Sequence, residues 1–113
     1  KDWLVRVPSN ALAQLGLAQV ELMSRIDGLV PTEVFTLADA TPMDIDIQLR
    51  AADIEVAQGK YELAFERLIS VVKQTSDSEQ KRVREHLLNL FKLVDPSDPV
   101  LIKARQSLAS ALF

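Results

Sequence analysis

Gly59-Lys60-Tyr61-Glu62-Leu63-Ala64, continued by Leu68 and the pair Val71–Val72, decides the fold. Glycine serves where the chain must turn sharply, and Gly59 stands between two helical patterns. Upstream, Ile45, Leu49, Ala52 and Val56 keep helical spacing. Downstream, Tyr61, Ala64, Phe65, Leu68, Val71 and Val72 form one stripe over about 60–74. The small Ala64 lets a neighbouring helix come close, and Leu68, four places on, fills the gap beyond it. The unit is a helix–turn–helix hairpin.

The same grammar extends to both sides. Ser9 or Asn10 can cap a first helix over Ser9–Ile26, where Leu12, Leu15, Leu22 and Ile26 share a stripe and Asp27–Gly28 breaks it. A short second helix over about 31–39 starts at Pro31, with Val34, Leu37 and Ala38 inward. The third is expected to start with Thr41 as cap, Pro42 in the first turn and Asp44 as box partner. A fifth over about 78–94 carries Val83, Leu87, Leu90, Phe91 and Val94, and Asp95–Pro96 stops it. Asp98–Pro99 starts a sixth, with Leu101, Ala104, Leu108 and Ala111 inward. No segment sustains β alternation. Short turns between helices make antiparallel neighbours.

Repeated hairpins of this kind stack. The middle unit resembles the turn and second helix of the tetratricopeptide repeat (TPR), G-x-Y-x-x-A-x-x-x-F-x-x-A. The preceding helix departs from that pattern, with Ala51–Ala52 where Leu-Gly is common; Leu15–Gly16 does carry that pair. The expected fold is all-α: antiparallel helix pairs in a degenerate tetratricopeptide-like, right-handed solenoid of about six helices over 9–113.

The C-terminal half carries a narrower resemblance. Leu87-Leu88-Asn89-Leu90-Phe91, then Asp98-Pro99-Val100, then Ala104-Arg105-Gln106-Ser107-Leu108-Ala109-Ser110-Ala111-Leu112-Phe113 resembles the end of the thioredoxin-like chaperedoxins of the CnoX/YbbN type. That resemblance implies an N-terminal thioredoxin-fold domain ahead of this helical one. It also implies a cytoplasmic holdase that binds unfolding clients and passes them to the chaperonin system. The thioredoxin part and any C-x-x-C are absent from this chain, so no redox role carries over. Residues 1–8, with Trp3, Val5 and Val7, read as a linker from such a missing domain.

Composition narrows the functional classes. The 113 residues suffice for one domain, and 48% apolar with 26% charged residues fits a folded, well-solvated chain. There is no cysteine, which removes disulfides and thiol chemistry. The net charge is −3 with basic residues dispersed, against nucleic-acid binding. No apolar run approaches the ~20 residues that span a bilayer. The single histidine, His86, lacks the convergent ligands a metal needs and reads as a flank or surface residue. No nucleophile or phosphate loop accompanies the aspartates, so neither enzyme activity nor a cofactor is expected.

The expected function is protein binding, with a structural docking or oligomerisation role as the alternative and weak homodimerisation left open. In a hairpin array the first helix of each pair lines the concave side, here the first, third and fifth. Asp46, Leu49, Asp53 and Val56 share a face of the third and form the candidate protein-binding surface. The terminal Leu112 and Phe113 are the fallback site. Asp46 and Asp53 are expected to be exposed, to steer basic residues of a client, and to be replaceable by Lys at little cost in stability. Lys81, Arg82, Arg84 and Lys92 read as a solvated basic face on the fifth helix.

Overall fold

A computed structural model describes the backbone of residues 9–112 and the side chains of residues 15–112. Trp3, Phe113 and the side chain of Leu12 lie outside that range. Among the described residues the chain forms α1 (Ser9–Ile26), α2 (Pro31–Ala40), α3 (Ile45–Ala57), α4 (Tyr61–Gln74), α5 (Asp77–Phe91) and α6 (Pro99–Leu112), with no strand. The radius of gyration is 14.8 Å, against about 13 Å for a compact domain of this size. The extra extension is that of a stack, not a ball.

The hairpin α3–α4 is the centre of the stack. Gly59 takes φ +79°. Its N–H reaches Val56 O at 2.9 Å and the N–H of Lys60 reaches Glu55 O at 2.8 Å, the paired bonds that close a helix through a left-handed residue. α1 and α2 pack on α3, α5 packs on both α3 and α4, and α6 packs on α4. Helix α3 is therefore enclosed: nine of its residues are buried, including Gln48, Asp53 and Glu55.

The main core runs through α3–α6, around Phe65, Leu68, Val83, Leu87, Leu90 and Leu101. Phe65 meets Phe91 edge-on, with ring centroids 4.9 Å apart. A second cluster of Val34, Ala38, Ala51 and Ile54 joins α2 to the far side of α3. Ala64 is fully buried and Ala57 exposed. Ala64→Leu should cost about 1–3 kcal/mol by overpacking, and Ala57→Leu should leave the urea midpoint nearly unchanged. Equal shifts would place the helix contact elsewhere.

Three local expectations are corrected. Helix α3 starts at Ile45, not at Pro42: Asp44 is the cap, accepting from the Ile47 N–H at 3.3 Å. Thr41 instead ends α2, its hydroxyl donating to Leu37 O at 2.6 Å. The N–H of Asp44 bonds Thr41 O at 3.0 Å, so Pro42 sits inside a turn that its fixed φ favours. Leu37 is 49% exposed rather than inward, because α2 meets α3 through Val34 and Ala38. Helix α5 ends at Phe91, and residues 92–94 tighten into i to i−3 bonds that still bury Val94. Asp98 caps α6 as expected, accepting from the Val100 N–H at 2.9 Å.

Candidate functional site: the α1–α3–α5 groove

Alternate helices α1, α3 and α5 border one open concavity, lined by Arg25, Asp46, Leu49, Arg50, Asp53, Arg82 and His86. Helical spacing puts these residues there. Asp46, Leu49, Arg50 and Asp53 occupy one side of α3, and Arg82 and His86 are four apart on α5. The concavity meets a smaller recess beyond Arg25, lined also by Leu17, Ala18, Glu21, Asn89 and Lys92. The two recesses share Arg25, and Arg82, His86 and Asn89 of α5 with Lys92 at its C-cap run between them.

The candidate residues fall into different environments. Asp46 is exposed and Leu49 borders the groove from a largely buried position. Val56 is in the core, packed with the main cluster, and does not line this groove. Leu112 is half-buried against the same cluster at the end of α6.

Asp53 is the main correction. It is 2% exposed. Arg25 grips it with two bonds, Nε to Oδ2 at 2.9 Å and Nη2 to Oδ1 at 3.1 Å. His86 Nε2 donates to the same Oδ1 at 2.8 Å. His86 is thus a half-buried bridge between α5 and α3, not a flank residue. One carboxylate ties three helices together at the floor of the groove, so it is a structural pin and cannot be replaced by Lys at little cost. A buried ion pair adds little over an apolar substitute but is costly to break.

Glu55, two residues on, points to the opposite side of α3. Arg67 of α4 donates to it from Nε at 2.8 Å and Nη2 at 3.3 Å, and from Nη1 to Gln48 Oε1 at 2.9 Å. Gln48 Nε2 donates in turn to Ala38 O at 3.0 Å. Among the described residues no buried side-chain polar atom lacks a partner. The sequence signal for both networks was the run Ala51-Ala52-Asp53-Ile54-Glu55-Val56, where charges alternate with apolar residues on a helix buried all round. Their partners lie 28, 33 and 12 residues away for Asp53 and Glu55, beyond any local pattern.

Asp46 behaves differently. It pairs with Arg82 in the open, where such a pair contributes little to stability. The Arg82 hydrogen bond and charge hold its carboxyl below the ordinary aspartate value. Arg82→Ala should therefore raise the Asp46 pKa towards that value in an NMR titration of side-chain carboxyls. A lowered folded-state pKa stabilises above the unfolded value and loses its effect as pH falls through the folded one. The Asp46–Arg82 pair should thus break only in acid.

Hairpins stacked so that alternate helices line a groove define a repeat-type interaction domain. The family model described as tetratricopeptide repeat matches residues 28–113, and the chain belongs to that family. The family's fold is built for binding proteins, and its presence marks this chain as a protein-interaction domain. The chain is 40% identical over 106 residues to uncharacterized proteins of Mycobacterium tuberculosis and Mycobacterium bovis. The alignment covers 94% of this chain and 34% of each relative, so the chain spans about a third of their length. No solved structure matches it. Among the described residues no helix is long and apolar enough to cross a membrane.

Proposed function

We propose that the α1–α3–α5 groove binds segments of partner proteins and that the role is binding, not catalysis. The observation that carries this is the groove itself: three alternate helices of a tetratricopeptide domain present a concave face of pinned and open side chains. In the fuller reading, the parent protein is a cytoplasmic thioredoxin-family holdase that takes unfolding clients and hands them to the chaperonin. Its support is the tail resemblance over Leu87–Phe91, Asp98–Val100 and Ala104–Phe113. The relatives carry about two thirds of their length outside the aligned part, room for a second domain.

The test is titration of the isotope-labelled chain with reduced, carboxymethylated α-lactalbumin, a permanently unfolded protein. Amide shifts concentrated on α1, α3 and α5 are expected. Shifts confined to α2 and α6 would move the site off the groove.

A docking role has one observation in its favour. Helix α1 exposes Leu17, Val20 and Met23 at 59%, 66% and 61%, three residues apart and so close to one face. Light scattering against concentration tests it: a tight dimer lost on Val20→Asp, with no affinity for unfolded protein, would favour docking over client binding.

A further inference from the structure

The charge of the groove runs against the charge of the chain. The whole sequence is −3. The groove around α3 holds three guanidiniums, Arg25, Arg50 and Arg82, against two carboxylates, Asp46 and Asp53. Both carboxylates are already engaged. Asp53 is bridged by Arg25 and His86 and shut away from solvent. Asp46 is taken by Arg82. Arg50 is exposed and has no ion-pair partner among the described residues.

The donor count points the same way. Arg25 uses Nε and Nη2 on Asp53, and Arg82 uses Nη2 on Asp46. Among the described residues this leaves Arg25 Nη1, Arg82 Nε and Nη1, and the whole guanidinium of Arg50 free of protein partners. A guanidinium carries five N–H donors and no acceptor. The groove therefore carries more arginines than carboxylates and more spare donors than spare acceptors: Asp53 is enclosed, and Asp46 keeps only Oδ2 without a partner among the described residues. Lys92 continues the basic lining past Arg25, opposed by Glu21.

We propose that the α1–α3–α5 groove takes an acidic segment of a partner protein, whose Asp or Glu carboxylates are received by Arg50 together with the free N–H donors of Arg25 and Arg82. This rests on the groove being the binding face and assigns its sign. It is opposite to the sign the sequence suggested, because Asp53 is consumed inside the fold and Asp46 is paired with Arg82 at the surface. Planar guanidiniums match carboxylates in two-bond geometry. An extended segment presents every second side chain on one face, about 7 Å apart. The pattern that fits is thus carboxylates at alternate positions, with small or apolar residues between.

The experiment measures fluorescence anisotropy of the chain with two short labelled peptides, one alternating Glu and Leu, the other Lys and Leu. The Glu–Leu peptide should bind about tenfold more tightly, with the difference shrinking at high salt. Arg50→Ala should weaken Glu–Leu binding by about five- to tenfold at unchanged melting temperature, since Arg50 is exposed and supports nothing in the fold. Arg50→Lys should keep part of the affinity. Equal or tighter Lys–Leu binding, with amide shifts still on α1, α3 and α5, would overturn the sign and leave the groove as binding face. Glu–Leu binding untouched by Arg50→Ala, with shifts on other helices, would overturn both. So would no binding of either peptide or of carboxymethylated α-lactalbumin.

Discussion

Asp53→Lys should unfold the domain or lower its stability by about 3–5 kcal/mol, with a collapsed melting transition at neutral pH. The carboxylate is almost fully enclosed, and its two oxygens hold Arg25 of α1 and His86 of α5. A lysine there removes all three bonds and forces an ammonium against the Arg25 guanidinium, which is itself only 32% exposed. Neither cation has room to retreat fully into water. Asp46→Lys is the matched control on the same helix. Its side chain is more than half exposed, so its urea midpoint should stay close to the parent's. Asp53→Asn, which keeps shape and loses charge, should fall between the two. The measurement is a urea unfolding series on the three variants. Equal midpoints for Asp53→Lys and Asp46→Lys would mean that the three-helix pin does not exist in solution.

Phe65→Ala should cost about 3–5 kcal/mol. The ring is 1% exposed and sits where α4 meets its neighbours. It meets Phe91 of α5 edge-on and lies 6.4 Å from Tyr61 centre to centre. Truncation removes the buried ring, leaves a cavity, and loses the edge contact, which is worth about 0.5–1.5 kcal/mol beyond area. Phe65→Leu keeps most of the volume and should recover much of the loss. The check is the same unfolding series. A Phe65→Ala midpoint within error of the parent would contradict the packing of α4 on α5.

These two residues also separate what each level of structure decided. The apolar stripe of α4, Phe65 included, was legible from spacing alone, as were the bounds of α1 and the hairpin at Gly59. Helical periodicity and a left-handed glycine are local physics, and a local window contains all of it. The cap of α3 was missed by three residues because Thr41, Pro42 and Asp44 offer two consistent local solutions. Only the packing of Ala38 and Gln48 between α2 and α3 selects one.

The groove was half legible. The rule that alternate helices share a face put Asp46, Leu49 and Asp53 on one side of α3, and they do border one concavity. Their chemistry was not legible. Whether an aspartate steers a ligand or pins the fold depends on what faces it, and Asp53 faces residues from two other helices. His86 illustrates the same limit: alone in the sequence it had no partner to suggest a role. The sequence by itself determined the helices, their hairpins and the repeat class, because those follow from periodicity and turn chemistry. Only the tertiary structure decided which charges are consumed and which remain to meet a partner. Ion pairing is a contact between segments far apart in the chain, and its sign at the groove is what survives after those contacts are made.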